Sequence, residues 1–154
     1  MVKRVLERLA KPLHSVIEYG AGDGVVTKAL LQKLAPGGKL LAIESNAQFV
    51  QTLRQINDDR LEILHGKVED LLPDLTSFQA DAVISSIPCF FLTPEDRLAI
   101  AAHTYKILTP GGNFIVFHQY RRLMLEPLKT YFASVSVLFE PRNVFPCFIL
   151  DAKK

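Results

Sequence analysis

One stretch limits this chain more than any other: Val16-Ile17-Glu18-Tyr19-Gly20-Ala21-Gly22-Asp23-Gly24. Two adjacent β-branched apolar residues suit a strand buried on both faces. The glycines after them allow backbone N–H groups to approach a ligand closely, at the N-terminus of the helix that follows. The pattern is Glu-x-Gly-x-Gly-x-Gly. A dinucleotide fingerprint asks for its third glycine at position 25, where this chain has Val25. The loop therefore reads as a cradle for a nucleotide-like ligand whose identity must come from other residues.

The rest of the chain repeats the alternation of strand and helix. Met1–Lys11 places Val2, Val5, Leu6 and Leu9 at helical spacing, with Lys3, Arg4, Arg8 and Lys11 off that face, and Pro12 follows. Two readings stand for this segment. It packs on the sheet, or it lies as a basic amphipathic helix on an anionic membrane surface. Strand one is read at Ser15–Tyr19 and a helix at Val25–Leu34, stopped by Pro36-Gly37-Gly38. A second strand, Lys39–Glu44, precedes a helix capped by Asn46. A third strand runs Leu61–His65, and a loop leads to strand four at Ala80–Ser86. Thr93 and Pro94 start a helix that Pro110-Gly111-Gly112 ends, and Asn113–His118 is strand five. Leu123–Phe132 is a helix, and Val135–Phe139 and Phe145–Leu150 are two strands too close for a crossover helix, so they pair as a hairpin. Such alternation predicts an α/β fold, a mostly parallel sheet with helices on both faces. The expected domain organisation is a single domain over residues 1–154, with an N-terminal helix over 1–13.

A chain of 154 residues is one domain by length and can bury roughly two-thirds of its unfolded surface. The net charge of only +2 argues against nucleic acid, whose binders carry a basic stripe. Cys89 and Cys147 are isolated, with no metal-ligand spacing, and read as reduced buried thiols. No apolar run reaches the ~18 residues of a membrane span. Met1–Lys11 has no continuous apolar core of the kind a signal peptide needs. A cytoplasmic location is expected, with no obligate protein partner and no metal.

In open α/β sheets the ligand lies at the carboxyl ends of the strands. Those ends collect Glu18–Gly24, Glu44–Asn46, Gly66–Asp70, Ser85–Cys89 and His118–Tyr120. Gly20, Ala21, Gly22 and Gly24 form the cradle. Glu44, with Ser45 beside it, stands at the spacing where an acid reads ribose hydroxyls. Glu18 precedes the loop, where a carboxylate would repel a pyrophosphate but attract the ammonium of an amino-acid tail. That favours S-adenosylmethionine over a dinucleotide as cofactor. Ser86 and His118, at the ends of strands four and five, are candidate acceptors for a substrate proton.

Glu18–Gly24, Glu44, Asp81-Ala82-Val83-Ile84-Ser85-Ser86-Ile87-Pro88 and Leu108-Thr109-Pro110-Gly111-Gly112 together resemble the class I S-adenosylmethionine-dependent methyltransferases. The resemblance implies a Rossmann-like three-layer α/β/α sandwich with strand order 3-2-1-4-5-7-6 and strand seven antiparallel. Within that superfamily, the strand-four segment and Arg142-Asn143-Val144-Phe145-Pro146 look most like the bacterial phospholipid N-methyltransferases, which act on the amine of phosphatidylethanolamine. The neighbouring rRNA adenine dimethylases have Asn-Leu-Pro-Tyr where this chain has Ser86-Ile87-Pro88-Cys89, which argues against an adenine substrate.

The resemblance implies a lipid or small-molecule amine as substrate, with peripheral contact at the inner membrane surface. It adds Tyr120 to the candidate catalytic residues and Ser85 to the cofactor set. After strand three the family usually has Gly-Asp-Ala, its Asp reading adenine. Here the residues are Gly66-Lys67-Val68, and Lys67 accepts no hydrogen bond. Either Glu69, a backbone group such as the Val68 N–H, or shape alone takes over that role. Arg121, Arg122 and Arg142 either hold a phosphate or form a solvated face.

Overall fold

The computed structural model describes residues 2–9, 12–119, 121–141 and 146–154, without the side chain of residue 121. Seven strands form one sheet: β1 (Leu13–Tyr19), β2 (Leu34–Glu44), β3 (Leu61–His65), β4 (Ala80–Ser85), β5 (Leu108–His118), β6 (Ser134–Glu140) and β7 (Cys147–Lys153). The helices are α1 (Val2–Glu7), α2 (Val25–Leu31), α3 (Ala47–Leu53), α4 (Val68–Leu71), α5 (Pro94–Ile107) and α6 (Arg121–Tyr131). The order is β3-β2-β1-β4-β5-β7-β6. β7 runs antiparallel between β5 and β6, and the remaining pairs are parallel.

Neighbouring residues on the central strands point to opposite faces, and both faces are covered. Ile17, Leu41, Val83 and Phe114 pack with Val68, Ile100, Ile107, Met124 and Leu128 of α4, α5 and α6. Val16, Leu40, Ala82 and Ile115 pack with Val5 of α1 and Val26 and Leu30 of α2. Ala42 packs with Leu53 of α3. This is the three-layer sandwich, and it explains why the strands read as continuous apolar runs rather than alternating ones.

Several boundaries differ from the sequence expectation, including the last strand, which is Cys147–Lys153 rather than Phe145–Leu150. The N-terminal helix is Val2–Glu7, and β1 begins at Leu13. Helix α2 stops at Leu31, because Leu34 already pairs with Leu13. Both Pro-Gly-Gly segments lie inside strands, where the register shifts. A Cβ on Gly38 or Gly112 would come within 2.9 Å of a carbonyl oxygen on the adjacent strand, so only glycine fits those bulges. The loop between strands three and four contains α4 and a 3-10 turn, Leu72–Leu75. Val68, Leu72 and Leu75 are buried there at the i, i+4, i+7 spacing of a helical face.

Helix α1 lies on the sheet. Val5 is fully buried, and Arg4 Nε meets Glu140 Oε2 at 2.6 Å. Arg8 Nη1 meets Asp151 Oδ2 at 3.2 Å, and Asn113 Nδ2 donates to Asp151 Oδ1 at 2.6 Å. Two of the four basic residues proposed for a membrane face are therefore engaged with buried carboxylates of β6 and β7.

Candidate active site

The β1 loop is fixed by its backbone. Gly20 has φ +75, and a Cβ there would sit 3.2 Å from Ile87 Cγ1. Any other residue would be strained and would fill the space between the ends of β1 and β4. The N–H groups of Gly20 and Ala21 both donate to the Ile43 carbonyl, at 2.9 and 3.2 Å. Gly24, with φ +84, is the N-cap of α2. Glu44 joins this loop to the next one. Its Oε2 accepts the Gly22 N–H and its Oε1 the Asn46 N–H, each at 2.8 Å. Asn46 in turn caps α3 by accepting the Gln48 N–H at 2.9 Å. Each Glu44 oxygen keeps lone-pair capacity beyond these bonds. His65, at the end of β3, donates from Nε2 to the Ser45 carbonyl at 3.1 Å.

Glu18 does not stand where the sequence argument put it. It is 1% exposed and lies beneath the loop, with Oε2 accepting the Thr27 hydroxyl at 2.6 Å. Burial pushes its carboxyl up to about 8; the Thr27 bond pulls the other way, and Glu44 adds to the rise. Glu18 is therefore neutral at pH 7. Charge repulsion of a pyrophosphate, the reason for preferring an amino-acid tail, does not act from this residue in this state.

Two cavities open at the carboxyl ends of the strands. The first, about 200 Å³, is lined by Gly20, Ile43, Ser45, Gly66, Lys67, Val68 and Glu69 from the first half of the chain and by Ile87, Pro88, Phe91 and Leu92 after β4. Four predicted cofactor residues line it: Gly20, Ser45, Val68 and Glu69. Gly22 and Glu44 bond to each other between the β1 and β2 loops. Ala21 and Ser85 do not line either cavity. Ala21 is packed against Ala42 and Leu53, and Ser85 is buried in the sheet between Tyr19 and Val116. Gly24 serves the helix cap. The apolar wall from Ile87 to Leu92 was missed, although the run Ile87-Pro88-Cys89-Phe90-Phe91-Leu92 directly after a strand was its signal. Asp81, part of the strand-four motif, works at the far edge, where its Oδ2 accepts the N–H groups of His14 and Ser15.

The second cavity, about 280 Å³, is lined by Ser86, Pro88, Phe90, His118 and Gln119, so Pro88 borders both. Ser86 and His118, selected from different strand ends, come together here. The Ser86 hydroxyl donates to the Gly20 carbonyl, which leaves its oxygen as an acceptor. Burial, with Arg97 adding to it, pulls His118 down to about 4. Its imidazole is neutral at physiological pH. Tyr120 and Arg142 lie outside the described residues, as do Asn143, Val144 and Phe145, and so does the side chain of Arg121. Arg122 lines a shallow cleft between α5 and α6 with Arg97, Leu98 and Glu126.

Helix α5 holds the turn between the cavities. Thr93 and Asp96 form a reciprocal capping box at its start. One turn on, Arg97 donates from Nε to the Cys89 and Leu92 carbonyls and from Nη2 to Leu92 at 2.7 Å. Cys89 is buried, and burial pushes its thiol up to about 11, which leaves it inert. Neither Cys89 nor Cys147 forms a disulfide.

A sheet of this order, with a glycine loop after β1 and an acid ending β2, is the Rossmann-like fold of the class I S-adenosylmethionine-dependent methyltransferases. The chain belongs to the Methyltransferase domain family, which matches residues 16–112. It is 28% identical over 136 residues to an ornithine lipid N-methyltransferase of Singulisphaera acidiphila, covering 85% of this chain and 71% of that protein. It is 26% identical over 126 residues to a carboxy-S-adenosyl-L-methionine synthase of Klebsiella pneumoniae, covering 78% of this chain. The chain spans about half the length of that synthase, 49%. Among solved structures, the N-methyltransferase NodS from Bradyrhizobium japonicum WM9 superposes with a TM-score of 0.81 at 13% identity, over 99% of this chain and 93% of that one. Human methyltransferase-like protein 13, in complex with SAH, gives 0.76 at 20% identity, over 98% and 74%. The cofactor is S-adenosylmethionine, and the site suits it: the first cavity is kept open by the absent side chain of Gly20, beside an acid with spare acceptor capacity.

Proposed function

We propose that this methyltransferase N-methylates the head-group amine of a lipid. When bound, S-adenosylmethionine supplies an electrophilic methyl group on a sulfonium centre. The chain's own residues do the rest. In this reading the Gly20–Gly24 loop and Glu44 hold the ribose side, and Val68 and Glu69 border the adenine in place of the absent Asp. Ser86, His118 and Tyr120 position the amine.

The observation that carries the reading is the second cavity. Its described lining has three polar side chains able to accept a hydrogen bond, Ser86, the neutral His118 and Gln119, and no charged side chain. Such a pocket suits an uncharged amine. An aliphatic amine with pKa about 10 must lose its proton first, at about 4 kcal/mol near neutral pH. His118 accepts a hydrogen bond from the amine but cannot hold its proton, because its own affinity for protons is too low. Positioning is thus the main contribution of the site, as in-line displacement with a neutral leaving group requires. The lipid part of the reading is supported by the similarity to the ornithine lipid enzyme.

Radiolabelled methyl transfer from S-adenosylmethionine into total lipid, RNA and small-molecule fractions tests the reading. Label is expected in aminolipid. Label confined to RNA or to water-soluble amines would overturn the lipid assignment, and cofactor binding without transfer to any fraction would indicate a non-catalytic cofactor-binding module.

A further inference from the structure

Phe90 and Phe91 are neighbours in sequence and both stand in the open, 54% and 76% exposed. Their ring centroids are 4.0 Å apart. The exposure is not that of a loose loop. Cys89 and Leu92, on either side, are buried, Cys89 Sγ donates to the Ile87 carbonyl, and Arg97 clamps the carbonyls of Cys89 and Leu92. The turn is built to hold two apolar rings outward.

Their position is specific. Phe91 borders the first cavity, Phe90 the second, and Pro88 both. An apolar surface at the mouth of a binding site needs a partner to cover it. The charges around it are mixed: Lys67 and Glu69 line the first cavity, and Glu95 and Asp96 open α5. Thr93, and then Lys67 and Arg97, hold Asp96 below the usual carboxylate range. The Arg97 guanidinium is bonded to backbone carbonyls. Among the described residues here a nucleic-acid backbone would meet three carboxylates, Glu69, Glu95 and Asp96, beside Lys67 and Arg97. A hydrocarbon chain finds two exposed rings, with Arg97 already held by backbone carbonyls and Asp96 by Thr93.

We infer that the Phe90–Phe91 pair is the surface on which the acceptor molecule lays its apolar arm, so that the site selects an amine carried on a hydrocarbon chain. This rests on the lipid-amine reading and adds the residues that would enforce it. Phe90 is the contact nearest the amine, and Phe91 extends the surface across the front of the first cavity.

The test uses straight-chain primary amines from butylamine to dodecylamine, kept below their micelle concentrations, with labelled S-adenosylmethionine. For the unaltered protein, kcat/KM is expected to rise about two- to fourfold per added methylene until the rings are covered. In the double variant Phe90→Ser, Phe91→Ser the rise should flatten, and in Phe90→Leu it should persist. Both positions are exposed, so folding survives, as the thermal unfolding curve would verify. Transfer that proceeds with no dependence on chain length would overturn the inference while leaving amine methylation standing. A rise that survives in the double variant would overturn the assignment to these rings. Transfer to an adenine-containing oligonucleotide and to no amine would overturn both the inference and the reading beneath it.

Discussion

The two halves of the strand-end rim are built on different principles. On the β1–β2 side the backbone is locked: Gly20 is closed against Ile87, and one carboxylate, Glu44, receives N–H groups from two loops. On the β4–β5 side the surface is made of side chains, with Phe90, His118 and Gln119 around a cavity and an arginine holding the turn from behind. The first design suits a ligand that never changes, since a fixed backbone repeats the same geometry at every turnover. The second suits a surface that evolution adjusts to its acceptor, since each side chain can be exchanged without disturbing the sheet.

That contrast breaks most sharply at Gly20. Gly20→Val forces a strained φ and a clash with Ile87, and should weaken S-adenosylmethionine binding by about a hundredfold in titration calorimetry. On the other side, Arg97→Ala strips the donors from the Cys89 and Leu92 carbonyls. It should destabilise the fold by about 2 kcal/mol, read by urea unfolding, without the loop change that Gly20→Val imposes. His118→Ala should lower kcat about tenfold, the worth of one positioning hydrogen bond, and leave cofactor affinity unchanged. Because His118 stays neutral above about pH 5, the kcat profile of the unaltered protein should rise with amine deprotonation and show no histidine limb between pH 6 and 8.

A further effect, read through pH rather than at a single condition, concerns Glu18. Its carboxyl is held up to about 8 against an ordinary value of 4.5. Between those values the unfolded chain releases the proton and the folded chain keeps it, so stability falls as pH rises and levels off above 8. Glu18→Gln removes the ionisation and can still accept the Thr27 bond through its carbonyl oxygen. Its unfolding temperature should gain on that of the unaltered protein by roughly ten degrees between pH 5 and 8. A parallel pH dependence in both proteins would show that Glu18 titrates normally.

The succession of strands and helices was readable because the central strands are apolar runs and the turns carry their own markers, down to the Thr93 cap and the hairpin that sets β7 antiparallel, whereas the strand order came from the family resemblance. The Pro-Gly-Gly segments misled, since the same residues that end a helix also make a bulge inside a strand. Helix α4 was missed because four residues carry too little periodicity, and only the following turn completes the face. At the site, residue types at strand ends were sufficient to bring Gly20, Ser45, Val68 and Glu69 to one cavity and Ser86 and His118 to another. Burial was not legible. Glu18 and Ser85 sit at strand ends like the others, and only packing shows that they lie behind the cavities. The aromatic wall was missed for a similar reason: apolar residues after a strand read as core, whereas here Cys89 and Leu92 are buried and Phe90 and Phe91 stay out.

The locked half of the rim can be tested at a single side chain. Glu44 is the acid assigned to the ribose and also the tie between two loops. Calorimetric titration of Glu44→Ala with S-adenosylmethionine should show affinity reduced ten- to a hundredfold, in line with loss of a charge-assisted hydrogen bond. An unchanged dissociation constant would contradict the assignment of this rim to the cofactor.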